Sequence, residues 1–132
     1  MPKILDTTLL IDHASDLPGA VATVRQLLAA GDDLLVCDVV VAEALSRGTD
    51  EERRAIAALI AAVEYVATPP DAAKWAGEAR RTRGASGPRH LGDALIAGVA
   101  WFNGAVVVTR NPDDFVRMGI PVLAYGAEAP GT

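Results

Sequence analysis

The length of 132 residues and the 51% share of hydrophobic residues predict one globular domain, 1–132, whose core needs neither disulfides nor a structural metal. The single Cys37 excludes an internal disulfide and indicates a reducing, cytoplasmic compartment, and no apolar run reaches the roughly 18 to 20 residues of a membrane span. A net charge of −5 and a pI near 4.9 argue against nucleic-acid binding, unless clustered acids hold cations that invert the local field.

The first half of the chain alternates short apolar runs with segments of helical periodicity. Asp16 and Pro18 form a helix start signal and Gly31 a stop, and Asp38 is a natural N-cap for the helix that carries Glu43. In chain order, the predicted elements are a strand at 3–5, a helical turn capped by Thr7 or Thr8 and reaching residue 11, a helix at 16–30, a strand at 34–37, a helix from 38 that stops at Gly48, and a helix at 50–63.

The second half continues the same alternation. Asp71 follows two prolines and opens a helix, and the turn at Asn103 and Gly104 leads into a strand. In chain order, the predicted elements are a strand at 65–67, a helix from 71 that ends at Gly84, a loop at 86–88, a helix at 91–102, a strand at 105–109, a helix opened by Pro112, a strand at 120–123 and a loose tail at about 126–132.

The predicted strands are short apolar runs without polar alternation, and helices separate them. This pattern is typical of a parallel sheet that is covered on both faces. The predicted fold class is therefore α/β, a three-layer α/β/α domain around a central parallel sheet of four to five strands. In such sheets the ligand crevice lies at the carboxyl ends of the strands, where the following helices begin.

Several acidic or amide residues lie in apolar segments or at the ends of predicted strands. A carboxylate that is removed from water needs a cation or a hydrogen-bond partner, so a shared metal ion is the simplest explanation for the set. The absence of sulfur and the scarcity of histidine favour Mg²⁺ or Mn²⁺ over zinc or copper. The residues are Asp6 at the end of the first strand, Glu43 in the helix after the second strand, Asp93 in the first turn of its helix, and Asn111, Asp113 and Asp114 after the fourth strand.

Each of these positions also has an ordinary structural explanation. Asp6 and Asn111 are both suitable helix N-caps, and Asp93 would interact favourably with the dipole of its helix. Glu43 is harder to explain in this way, because it lies too far into its helix to cap it and its neighbours at helical spacing are apolar. The metal hypothesis therefore depends on the whole set rather than on any one residue.

The remaining polar and apolar features carry less information. His13 and His90 have no histidine or cysteine partner at ligand spacing, so we predict that both are surface or groove residues. The basic run at 80–90 leads into Asp93 and is a candidate phosphate-contacting edge, although such runs are usually solvated. A mean hydropathy of +0.25 exceeds what one small core needs and predicts a buried interface.

Four segments, in this order, carry a resemblance to a known family: Ile4–Asp12, Val40–Glu43, Gly92–Ala97 and Val108–Phe115. They resemble the four motifs of PIN-domain ribonucleases, in particular the VapC-type toxins of bacterial toxin–antitoxin pairs. The resemblance spans nearly the whole chain. It implies an endoribonuclease that depends on Mg²⁺, or on Mn²⁺ as a substitute, and that cleaves RNA, with structured or tRNA-like RNA as the expected substrate.

The same resemblance implies partners and site residues. The partners are a VapB-like antitoxin, for which the predicted helices 16–30 and 50–63 are candidate grooves, and a second copy of the chain in a homodimer. By position, Asp6, Glu43 and Asp93 match the three metal-binding acids. Asn111 stands where many relatives have Asp, and Asp114 is a nearby carboxylate, so the residue that completes the site is left open among 111, 113 and 114.

The expected chemistry is the hydrolysis of a phosphodiester bond. In this hypothesis Asp6 and Asp93 bind metal directly, and Glu43 either binds it through water or acts as the base that orients the attacking water. An arginine of the basic run, or Arg110, would contact flanking phosphates. The alternative is a PIN-like binding module with weak or no catalysis, in which Asn111 marks a degenerate metal site.

Overall fold

The computed structural model of the chain describes residues 1–83 and 90–130, and these residues form five strands and seven helices. The elements in chain order are β1 (Lys3–Leu5), α1 (Thr7–Ala14), α2 (Pro18–Ala30), β2 (Leu34–Cys37), α3 (Asp38–Ala44), α4 (Asp50–Ala61), β3 (Glu64–Val66), α5 (Pro70–Thr82), α6 (Leu91–Asn103), β4 (Val106–Thr109), α7 (Pro112–Val116) and β5 (Val122–Ala124).

The strands form one parallel sheet in the order β3-β2-β1-β4-β5. Central strand β1 pairs with both neighbours, so that Ile4 lies beside Leu35 of β2 and Val107 of β4. All four residues of β2 are buried, which is why this segment is apolar throughout rather than alternating. The prediction of a three-layer α/β/α domain with a central parallel sheet is confirmed.

The carboxyl end of β1 lies in the middle of this sheet. The order of the strands places the segments that follow β2 and β4 on either side of Asp6. In consequence, residues that are far apart in the sequence share one edge of the sheet, which is the edge where parallel α/β folds bind ligands.

Several helices begin or end at residues other than those predicted. Asp6, rather than Thr7 or Thr8, is the N-cap of α1, and Leu17 rather than Asp16 precedes α2, because Asp16 has a positive φ of 59°. The prediction that Asp38 caps its helix is also wrong, since Cys37 is the N-cap of α3. Helix α3 ends at Ala44, before Gly48 is reached, whereas the predicted stop at Gly31 is confirmed.

Asp38, the first residue of α3, still bonds to the start of its helix, because its Oδ1 accepts a hydrogen bond of 3.1 Å from the backbone N–H of Val39. Its Oδ1 accepts hydrogen bonds from the backbone N–H of Thr68 at 3.1 Å and from the Thr68 hydroxyl at 2.6 Å. These bonds tie the first turn of α3 to the segment that follows β3. Helix α4 begins with a capping box instead, in which Thr49 and Glu52 satisfy each other's backbone N–H groups.

The remaining predictions for the chain have mixed outcomes. The predicted stop at Gly84, the loop at 86–88 and Arg89 lie outside the described residues. Near the end of the chain, Ala127 accepts a hydrogen bond of 2.8 Å from the backbone of Gly19, so this part of the predicted tail lies against the start of α2. No helix within residues 1–83 and 90–130 has the length and apolarity that crossing a membrane requires.

Candidate metal centre

A cleft of about 300 Å³ opens at the carboxyl ends of β1 and β4. It contains every residue of the predicted site except Asp113, which is exposed and does not line it. The lining residues are Asp6, Thr7, Thr8, Glu43, Ser46, Arg47, Asp93, Asn111 and Asp114. Side chains from five separate elements or their ends therefore meet in one place, as the parallel sheet predicts.

Asp6 is the most buried acid of the cleft, with 3% of its surface exposed. Its Oδ2 accepts hydrogen bonds from the hydroxyls of Thr109 at 2.8 Å and Thr8 at 3.0 Å, and its Oδ1 accepts one from the backbone of Thr7 at 2.9 Å. Burial raises the pKa of Asp6, and these hydrogen bonds counteract the increase. The carboxylate is thus both a helix cap and a rigidly held wall of the cleft.

Glu43 lines the cleft with an exposed side chain. The prediction of an apolar environment for Glu43 is therefore wrong, because its helical neighbours Val40 and Ala44 face the core while Glu43 does not. Its Oε1 accepts a hydrogen bond of 2.7 Å from the Thr7 hydroxyl. A Cβ added to Gly92 would lie against the same carboxylate, only 3.0 Å from its Cδ, so the absence of a side chain at Gly92 makes room for Glu43.

Asp93 lies in the first turn of α6 with 28% of its side chain exposed. Its pKa is raised to about 7, first by burial and then by the negative charges of Asp6, Asp114 and Glu43. A hydrogen bond with the Asp114 side chain further favours the protonated form. The carboxylates are therefore close enough to repel one another when all are ionised, and a positively charged ligand would relieve that repulsion.

The segment after β4 contributes Asn111 and Asp114 to the cleft, in different ways. The backbone N–H of Asn111 donates to the Thr109 hydroxyl at 3.0 Å, and Asn111 is the N-cap of α7 without a capping bond from its side chain. The capping explanation for the Asn111 amide is therefore wrong. Asp114 Oδ1 accepts a hydrogen bond of 3.0 Å from Arg117, which orients this carboxylate beside Asp93.

His90 is the residue that the sequence-based interpretation missed. Its Nδ1 lies 3.9 Å from Oδ2 of Asp93, and one ligand atom each from His90, Asp93 and Asp114 lie within 4.8 Å of one another. Within the described part of the chain no other three acids, histidines or cysteines approach as closely. The signal in the sequence was the spacing of three residues between His90 and Asp93, which puts both on one face of a helix.

The donors of the cleft fit a divalent cation of the Mg²⁺ or Mn²⁺ type. Such ions prefer carboxylate and amide oxygens, and four carboxylates and one amide line this cleft. Three of the acids have oxygen atoms that are held in place by hydroxyl, amide or guanidinium groups, namely Asp6, Glu43 and Asp114. Neither histidine lines the cleft itself, and His90 lies beside it through its contact with Asp93.

Comparison of the sequence with known proteins finds a domain family and a relative that each match most of the chain. A model of the PIN domain matches residues 3–121. Ribonuclease VapC19 of Mycobacterium tuberculosis is 30% identical over 114 residues, which cover 86% of this chain and 91% of that protein.

Solved structures share the fold at lower identity. VapBC2 from Rickettsia felis, bound to a DNA fragment from its promoter, aligns with a TM-score of 0.78 at 18% identity, over 96% of this chain and 100% of the matched one. DNA-bound VapBC from Salmonella typhimurium aligns at 0.72 and 23%, over 94% and 98%. The Mycobacterium tuberculosis toxin VapC20, which cleaves the sarcin-ricin loop, aligns at 0.59 and 18%, over 80% and 86%.

Proposed function

This chain belongs to the PIN-domain family, and on that premise we propose that it is a VapC-like endoribonuclease that hydrolyses RNA with Mg²⁺ or Mn²⁺. The observation that carries the proposal is the convergence of Asp6, Glu43, Asp93 and Asp114 in one cleft, with the pKa of Asp93 raised to about 7. Acids held this close together are costly in a purely structural role. They are suited to a cation and to the phosphate that it attracts.

The residues have separate roles in this proposal. Asp6 and Asp93 are the principal metal ligands, and Asp114 supplies the carboxylate that is missing at Asn111. A bound divalent cation would offset charge on the phosphate and favour the ionisation of water. Glu43 is exposed to the cleft and oriented by Thr7, so it can accept a proton from an attacking water or bind the cation through water.

Thr8 and Thr109 are positioning residues. Both donate to Oδ2 of Asp6, and Thr109 also accepts the backbone N–H of Asn111. These bonds couple the ends of β1 and β4 and keep the Asp6 carboxylate in one orientation. The hydroxyl of Thr109 is completely buried, so its bond to Asp6 does not compete with water.

Two arginines are the best candidates for contacts with RNA phosphates. Arg47 lines the cleft after α3, and Arg110 follows β4, so the order of the sheet puts them on either side of Asp6. Arg110 is oriented by Asp12, whose Oδ2 lies 3.3 Å from its Nε. In the basic run, by contrast, Arg83 donates to the carbonyl of Met118 at 2.8 Å and is used within the fold.

A VapB-like antitoxin is the proposed protein partner. A groove of about 330 Å³ lies between α1, α3 and α4 beside the metal cleft, and Arg47 lines both. Ile11, Ala44 and Ile56 make part of this groove apolar, which suits an amphipathic segment that continues into the acidic cleft. Helix α4 is thus supported as an antitoxin surface, and α2 does not line the groove.

We propose that the chain forms a homodimer through the apolar face of α5 and α6. Trp101 and Phe102 are 48% and 51% exposed, and Trp101 stacks on Trp75 with ring centroids 5.9 Å apart. Large aromatic side chains at the surface are typical of interface centres.

We also propose a cytoplasmic site of action, where RNA is available and the buried thiol of Cys37, with its pKa raised to about 11, stays reduced.

The proposal is tested by incubating the purified protein with RNA and Mg²⁺, Mn²⁺ or EDTA and sequencing the products. We expect cleavage that EDTA abolishes, loss of cleavage in Asp6→Asn, and full cleavage in the control Asp113→Asn, whose carboxylate is exposed outside the cleft. Thermal unfolding of the variants checks that the fold is retained. Mn²⁺ binding by the wild-type protein without any RNA cleavage would contradict the proposal and favour the binding module instead.

A further inference from the structure

The donors around Asp93 are not carboxylates alone. His90 precedes α6 and Asp114 lies in the first turn of α7, and both side chains approach Asp93. The three side chains are partly enclosed: 23% of His90, 28% of Asp93 and 33% of Asp114 is exposed. The cluster thus combines one imidazole nitrogen with two carboxylates at the side of the cleft that is formed by α6 and α7.

The position of the imidazole has one ordinary explanation, an i,i+3 ion pair with Asp93 that requires a protonated ring. His90 is the N-cap residue of α6, but its side chain makes no capping hydrogen bond. The 3.9 Å between Nδ1 and Asp93 Oδ2 is longer than a hydrogen bond, which spans about 2.7 to 3.2 Å. Two ligand atoms that each lie about 2.1 Å from one ion are between about 3.0 Å and about 4.2 Å apart in an octahedral centre, and the 3.9 Å between Nδ1 and Oδ2 falls in this range. The three ligand atoms together lie within 4.8 Å of one another, so a shared cation would draw them slightly closer.

On the basis of the proposed function, we propose that His90 is a ligand of a divalent cation that it shares with Asp93 and Asp114. The cation would then have one nitrogen donor in a centre otherwise built from oxygen. Imidazole binds Mn²⁺ and later transition metals better than Mg²⁺, whereas carboxylates serve all of them. His90 would therefore shift the preference of the centre from Mg²⁺ towards Mn²⁺.

This assignment also gives a reason for the amide at Asn111. An amide oxygen is a weaker ligand than a carboxylate, so the fourth segment of the site contributes less negative charge at this position. Asp114 and His90 lie beside Asp93 and supply two donors in its place. The centre keeps enough ligands for a cation without a carboxylate at residue 111.

Electron spin echo spectroscopy of the Mn²⁺-loaded protein tests the inference directly, because a coordinated imidazole gives a ¹⁴N modulation that carboxylates do not. The chain contains only two histidines, so it is studied without a histidine tag, and His13→Gln is the matched control. We expect ¹⁴N modulation in the wild-type protein and in His13→Gln, and its loss in His90→Gln. Calorimetry should show Mn²⁺ affinity falling about tenfold in His90→Gln, with a smaller fall for Mg²⁺.

The outcomes separate this inference from the proposed function. If the wild-type protein binds Mn²⁺ and cleaves RNA but shows no ¹⁴N modulation, His90 is not a ligand and the nuclease proposal stands. Modulation that persists in His90→Gln also overturns the inference. If the wild-type protein neither binds Mn²⁺ nor cleaves RNA, both proposals fail. Thermal unfolding of each histidine variant establishes that a lost signal does not reflect a lost fold.

Discussion

The Asp93→Asn substitution should stabilise the metal-free protein at alkaline pH while abolishing RNA cleavage. Asn has nearly the shape of a protonated Asp but cannot ionise. In the wild-type protein, ionised Asp93 is partly buried and faces the charges of Asp6, Asp114 and Glu43. The substitution removes this repulsion together with a proposed metal ligand, so stability and activity should change in opposite directions.

The size of the effect follows from the pKa of Asp93, which is about 7 in the folded protein against an ordinary value of 3.8. Between these values the folded protein binds more protons than the unfolded chain. The stability contributed by the protonated form is therefore present at low pH and is lost as the pH rises through about 7. Between about pH 5 and about pH 8 the loss amounts to about 2 to 3 kcal/mol.

Urea unfolding of both proteins in EDTA at these two pH values measures the effect. The free energy of unfolding of Asp93→Asn relative to the wild-type protein should increase by about 2 to 3 kcal/mol from the lower to the higher pH. Asp113→Asn, the exposed control, should show no such change. Adding Mg²⁺ at the higher pH should stabilise the wild-type protein more than Asp93→Asn. A relative stability that is the same at both pH values would refute the reasoning.

Two further substitutions test how neighbours hold the carboxylates. Gly92→Ala places a Cβ against the carboxylate of Glu43, so we expect Mn²⁺ affinity, measured by calorimetry, and RNA cleavage each to fall about tenfold. The control Gly77→Ala, whose added Cβ would have nothing within 4 Å, should leave both unchanged. Thr109→Val removes the hydroxyl that donates to Asp6, so urea unfolding should show a loss of about 1 to 3 kcal/mol. The loss should become smaller as the pH falls and Asp6 takes up a proton, because a protonated carboxyl group needs the donor less. A loss that does not change with pH would show that the hydroxyl does not act through the carboxylate.

In the metal-free protein, repulsion among the acids of the cleft lowers the stability of the fold, although the proposed metal binding needs the same acids. The hydrogen bonds that orient Asp6 lower its pKa, whereas burial raises it, and Asp93 has no comparable set of donors. With its pKa raised to about 7, Asp93 is therefore only partly ionised at neutral pH when no cation is bound. A divalent cation would displace the remaining proton, so metal affinity should increase with pH over the range in which Asp93 ionises.

The sequence predicted the strands better than the ends of the helices. A buried parallel strand is a continuous apolar run, which is visible within a few residues of sequence, as in Leu34–Cys37. A helix end depends on which polar group reaches a free N–H. Asp38 was predicted as the N-cap of its helix, but Cys37 is the N-cap, and the Asp38 side chain binds both Val39 next to it and Thr68, thirty positions away. The pattern of neighbouring residues in the sequence does not show which of several N–H or hydroxyl groups such a side chain will bind.

The sequence by itself determined the kind of chemistry, because it specified oxygen donors at the ends of parallel strands, where the fold class brings them to one edge. Only the tertiary structure decided which donors meet. In the structure Glu43 is exposed at the wall of the cleft, Asp114 rather than Asp113 lines the cleft, and His90 lies beside Asp93. The reason is physical: hydrophobic periodicity is written in neighbouring residues, whereas the site depends on contacts such as that of Thr109 with Asp6, which are 103 positions apart in the chain.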